Sequence, residues 1–186
     1  MVNDLREKFI SIIKKDDELI ELLRIVRDLD LPDCYIGAGA VRNLVWDSLH
    51  GYEKRTSLND IDVVYCDSND VRAERDIEIW RKLCENRGDV EWNVFNQARP
   101  YIRDKPRTTS NSTVEGIATW PETPTCIGVR LNGDDSFDIC APYGIEDLMG
   151  LVVRPSGNSI GNLELYKGRV LKKRWKEIWP RLEILY

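Results

Sequence analysis

The chain has 186 residues, 42% of them hydrophobic, which suits one domain with a sizeable core. Its 27 basic and 32 acidic side chains leave a net charge of −5, the reverse of the balance by which proteins grip long nucleic acid. A single histidine, His50, excludes chemistry that needs two, and five scattered cysteines with no Cys-x-x-Cys pair argue against a disulfide framework or zinc site.

Any metal here must therefore be held by oxygen. No run approaches the roughly 18 apolar residues of a membrane span. Met1–Arg6 lacks the basic and apolar stretches of a signal peptide, so a cytoplasmic protein with no membrane partner is expected.

Leu5, Phe9, Ile12 and Ile13 recur at helical spacing, Asp16-Asp17 supplies an N-cap, and Leu19, Leu22, Leu23 and Val26 continue a second stripe. Pro32 ends this helical lead-in (residues 1–30), because the residue before a proline is driven out of the helical region. Cys34–Gly37 reads as a short strand running into the turn Gly37-Ala38-Gly39-Ala40. A helix follows through Val41, Leu44, Val45 and Leu49 to Gly51. Asp60–Tyr65 is a strand with its acids in front, residues 70–86 an amphipathic helix, and Asp89–Phe95 alternates as a half-buried strand.

Residues 101–111 read as loop, with Arg103, Lys105 and Arg107 on either a mobile substrate loop or an ordinary connection. Ser112-x-x-Glu115 predicts a capped short helix reaching Trp120. Two strands, 125–131 and 136–140, flank the hairpin signal Asn132-Gly133-Asp134-Asp135, and a short helix covers 143–150. From Leu163 the tail (residues 156–186) reads as a basic, aromatic helix. Trp175 and Trp179 share one face and are expected to dock it, leaving the lysines in water; a basic face for an acceptor nucleic acid is the alternative. Early alternation of strand and helix, then a hairpin, predicts one α/β (α+β) domain. It would hold a small mixed sheet of about five strands with flanking helices and a catalytic core at 31–155.

The chemistry lies in the order glycine turn, helix, Asp-x-Asp strand. A strand entering Gly37-x-Gly39 allows close backbone approach to a ligand, and the next helix turns free N–H groups toward phosphate. Asp60 and Asp62, two apart on a strand, share a face. Such a pair can hold Mg²⁺ or Mn²⁺ through hard oxygens. The bland reading is a packing turn with two surface carboxylates. Against it, both acids open an otherwise apolar strand with no local lysine to offset their repulsion.

Gly37-Ala38-Gly39-Ala40-Val41-Arg42-Asn43, followed by Asn59-Asp60-Ile61-Asp62-Val63, resembles the signature of the DNA polymerase β-like nucleotidyltransferase superfamily. It is similar above all to the Gly-Gly-x-Val-Arg-Asp…Asp-x-Asp arrangement of CCA-adding enzymes and bacterial poly(A) polymerases. Asn96–Arg99, Trp120–Thr123 and Ala141–Leu148 resemble a bacterial family of stand-alone nucleotidyltransferase-like proteins, over roughly residues 15–186. The resemblance implies a polymerase β palm-like fold that moves a nucleoside monophosphate from a nucleoside triphosphate to an acceptor hydroxyl, releasing pyrophosphate. The acceptor stays open among RNA, protein and a small molecule. It implies that Asp60, Asp62 and a third acid hold the metal. Glu91 is the candidate, as ligand and base, and Asp138 its competitor. Gly37, Gly39, Arg42 and Arg99 would meet the nucleotide. Two departures stand out: the turn is Gly-Ala-Gly, and Asn43 replaces the acid of the Arg-Asp pair. They leave room for a second reading, a catalytically degenerate fold that binds nucleotide or a partner.

Overall fold

The computed structural model describes residues 2–102, 105–106 and 109–186. Helices α1 (Val2–Lys14) and α2 (Asp17–Arg27) open the chain. The Asp16 carboxylate caps α2, accepting from the Leu19 N–H at 2.7 Å. Strand β1 (Tyr35–Gly37) enters α3 (Gly39–His50), which stops at Gly51 in the left-handed region that glycine tolerates. Next come β2 (Ile61–Tyr65), α4 (Ala73–Asn86) and β3 (Trp92–Asn96).

Where a loop was expected at 101–111, the backbone forms a small ribbon of β4 (Tyr101–Ile102) and β5 (Lys105–Pro106). Arg103 and Arg107 of the expected substrate loop lie outside the described residues. Helix α5 (Thr113–Ala118) is capped by the Ser112 hydroxyl, and β6 (Gly128–Leu131) and β7 (Phe137–Cys140) form the expected hairpin.

Five strands make one mixed sheet in the order β3-β2-β1-β6-β7, with β2 and β3 parallel and the other pairs antiparallel. Strand periodicity sorts β2 cleanly: Ile61, Val63 and Tyr65 face the main core under the helices, while Val64 faces a smaller cluster with Tyr35, Ile117 and Cys126. Asp62 shares that second face, at the end of the strand nearest the β1–α3 turn. All five cysteines are free.

The tail departs from the single expected helix. After α6 (Glu146–Met149) and β8 (Val152–Val153), α7 (Leu163–Lys173) halts at Arg174, whose φ of 51° is left-handed, and α8 (Trp175–Ile178) restarts in a new direction. The break seats Trp175 and Trp179 against Trp46 of α3, at ring distances of 5.5 and 5.0 Å, with both tryptophans buried. A short final strand β9 (Glu183–Ile184), absent from the sequence reading, pairs in parallel with β8. Among the described residues no helix is long and apolar enough to cross a membrane.

Candidate active site

Register brings the two aspartates to a partner that the sequence reading overlooked. Strand β3 runs parallel to β2 with Asn93 opposite Asp62. The Asn93 amide donates to Asp60 Oδ2 at 2.6 Å and, at the limit, to Asp62 Oδ1 at 3.5 Å. One neutral side chain thus ties two like charges together. Burial pushes the Asp62 carboxyl up to about 6, with the Asp60 charge adding to the rise and the Asn93 hydrogen bond opposing it.

The turn before α3 is tight for packing reasons. A Cβ on Gly37 would sit 2.7 Å from the Trp120 ring and 2.9 Å from the Ile127 carbonyl oxygen, so only glycine fits. The left-handed backbone falls instead on Ala38, with φ 51° and ψ −122°, a conformation L-residues avoid. Gly39 begins α3, and the first N–H groups of a helix have no helical acceptors of their own.

A cavity of about 480 Å³ opens in front of this turn. Asp60, Asp62, Gly39, Arg42, Arg169 and Lys173 all line it. Arg42 lies against Trp46 and Trp175, its guanidinium carbon 5.1 and 4.6 Å from their ring centres. It donates to Thr125 Oγ1 and to Asn43 Oδ1, each at 2.8 Å, and burial lowers its pKa to about 10. Asn43, where the resembling enzymes carry an acid, therefore serves as acceptor for its neighbour. The Thr125 hydroxyl donates on to Glu122, a fully buried carboxylate that also takes a 2.5 Å hydrogen bond from Arg169 Nε. Burial together with Arg169 and Arg42 lowers the Lys173 pKa.

Not every expected residue joins this cavity. Glu91 is exposed and precedes Trp92, the register partner of Ile61; this sets it beside Asp60, but it lines a neighbouring depression. Among the described residues no three Asp, Glu, His or Cys side chains come close enough to hold a metal ion. Asp138 sits on β7, three strands from β2, and is ion-paired with Arg130. Arg99 is ion-paired at 2.7 Å with Asp76, which also accepts from the Tyr65 hydroxyl, and it lines a separate groove. Asn93, Glu122, Arg169 and Lys173 were the residues missed. Glu122 lay within the Trp120–Thr123 stretch, and Arg169 and Lys173 within the basic tail, but none of the four was assigned to the nucleotide site.

A family model described as nucleotidyltransferase matches residues 24–184. An NMR structure described as revealing a CCA-adding enzyme head domain is 32% identical, with a TM-score of 0.81 over 96% of this chain and 95% of its own. The Thermotoga maritima CCA-adding enzyme complexed with tRNA is 15% identical at a TM-score of 0.59, and a CCA-adding enzyme in complex with CTP is 15% identical at 0.60. Both match across 100% of this chain, which covers 42% and 43% of their lengths. No match to a curated protein was found.

Proposed function

The chain belongs to the nucleotidyltransferase family, and from that premise we propose that it transfers a nucleoside monophosphate to an acceptor hydroxyl at the cavity between Asp60 and Lys173. The observation that carries this reading is the pairing of Asp60 and Asp62 on one face, with cations in the same cavity. CCA-adding enzymes of the same fold have been captured with CTP and with ATP, which makes a nucleoside triphosphate the natural first ligand to try.

The donor set fits Mg²⁺ or Mn²⁺. Two carboxylates supply hard anionic oxygens, and such ions commonly take only one or two from the protein, completing their shell with water and substrate phosphates. When bound, the ion supplies neutralisation of phosphate charge and activation of the attacking oxygen. The chain's own residues do the rest. Asn93 holds the carboxylate pair in place, and Gly39 lets the backbone approach the phosphates, while the expected contact at Gly37 gives way to packing against Trp120 outside the cavity lining. Arg42 contributes fixed positive charge. The acceptor oxygen forms its bond to the α-phosphorus as the bond to the β-phosphate oxygen breaks, and pyrophosphate leaves with the electron pair. Glu91, beside Asp60 in register, is the proposed third acid and the base that takes the acceptor's proton. Arg99 is proposed to steady the end of β3 through Asp76 and so to act on the nucleotide only indirectly.

Calorimetric titration with ATP, GTP, CTP and UTP, each with Mg²⁺, tests the reading. Binding should require the metal, vanish with chelator, and be lost in Asp60→Ala/Asp62→Ala. A folded wild-type protein that binds none of the four overturns it. Glu91→Gln should leave nucleotide binding within about threefold and lower transfer by a factor on the order of 10². Unchanged transfer would remove Glu91 from the mechanism.

A further inference from the structure

Two of the three cations lining the cavity make no direct ion pair among the described residues. Lys173, at the end of α7, forms no ion pair among the described residues, and the guanidinium of Arg42 is hydrogen-bonded only to the neutral side chains of Thr125 and Asn43. Arg42 is 5% exposed, and its buried Nε has no hydrogen-bond partner among the described residues. An orphaned buried donor on a cation is costly unless something completes it. Arg169 is anchored through Nε to Glu122, and its two terminal nitrogens make no hydrogen bond among the described residues. The N-terminus of α3, a helix of twelve residues, opens on the same cavity at Gly39. The three cations balance Asp60, Asp62 and Glu122, so once a metal ion takes up the two aspartates the cavity has positive charge left for a multiply charged anion.

Resting on the transferase reading above, we propose that the tail is a working part of the nucleotide site: Lys173, Arg169 and Arg42 bind the β- and γ-phosphates of the triphosphate, in the cavity shared with Asp60 and Asp62. The arrangement is built rather than accidental. The left-handed residue Arg174 ends α7 just after Lys173 and turns the chain so that Trp175 closes over the Arg42 guanidinium. Glu122 and Thr125 link Arg169 to Arg42 in one hydrogen-bonded chain, so both cations are set by the same buried carboxylate. Recognition by this wall reads phosphate and ignores the base.

The test titrates Mg²⁺-triphosphates and Mg²⁺-tripolyphosphate into the wild type, Lys173→Ala, Arg169→Lys and, as control, Lys172→Ala, whose side chain does not line the cavity. Lys173→Ala should weaken both ligands by on the order of tenfold, the usual worth of one charge-assisted phosphate contact. Arg169→Lys keeps a charge against Glu122 and so keeps the fold. It should lose several-fold, because an ammonium cannot serve the carboxylate and a phosphate together. Lys172→Ala should bind as the wild type does. If Asp60- and Asp62-dependent binding is present but Lys173→Ala and Arg169→Lys match the control, the wall is wrong and the transferase reading survives. If the wild type binds neither ligand, both fall.

Discussion

At Asp62 the proposed metal-binding role and stability pull apart. Its carboxyl titrates near 6 in the fold and near 3.9 in an unfolded chain. The native state therefore holds the proton more tightly, and stability falls as pH rises from about 4 to about 6, staying low above that. Replacing the acid by its amide removes the penalty. Asp62→Asn should raise the unfolding free energy by about 1–2 kcal/mol at pH 8, with the gain gone by about pH 4, while metal-dependent binding is lost. Urea denaturation at the two pH values checks it; an equal change at both would show that the carboxyl carries no such penalty. The neighbouring turn offers a second case. Ala38 holds a left-handed backbone that glycine adopts freely, so Ala38→Gly should stabilise by ~0.5–1 kcal/mol, against the usual loss on introducing glycine. A fall in the thermal midpoint would contradict this. Gly37→Ala next door should destabilise by about 1–3 kcal/mol through its clash with Trp120 and Ile127. The aspartates were visible in the sequence because two acids opening an apolar run are conspicuous. Asn93 was not, since a search for acids passes over an amide that merely holds two of them.

Among the elements, those read correctly carry their periodicity locally. The β2 run alternates between the main core and the sheet's second face, α3 ends on a glycine, and the β6–β7 hairpin turns on Asn132-Gly133. The tail was half legible. Tryptophans four apart announced docking, and both are buried as expected. The break at Arg174 carries no glycine or proline to signal it, because it is imposed by Trp175 finding Trp46. Lys173 is exposed, as expected of a tail lysine, but it lies at the rim of the cavity, which the sequence did not announce. Glu122, in Trp-Pro-Glu-Thr, likewise looks like loop until Arg169, far along the chain, reaches it. The docking has a measurable worth. Trp179 Nε1 donates to Asp47 at 2.7 Å inside the core. Trp179→Phe should therefore cost about 1–3 kcal/mol by leaving a buried carboxylate oxygen unpaired. Trp80→Phe, at a 44% exposed position, should stay within about 0.5 kcal/mol in the same chemical melts.

Across the whole molecule, the cavity is assembled from widely separated stretches of chain. Asp60 and Asp62 come from the first third, Glu122 and Thr125 from the middle, and Arg169, Lys173 and Trp175 from near the end. The last strand is then fastened to β8 by hydrogen bonds from Glu183 N–H to the Leu151 carbonyl and from Leu185 N–H to the Val153 carbonyl, and the Tyr166 hydroxyl lies within hydrogen-bond distance of the Leu185 and Val153 carbonyls, at 2.7 and 3.1 Å, donating its one proton to either. A polypeptide still being synthesised can complete the turn and the aspartate pair well before residues 163–185 have left the ribosome. Contacts of such long sequence separation form late, since the loops they close must be ordered first. Arg42 must wait for Trp175 to cover it, and the carboxylates for the cations that share their cavity. A nascent chain of this protein would thus carry its acids without their counterweight until residues 163–185 have folded back onto α3.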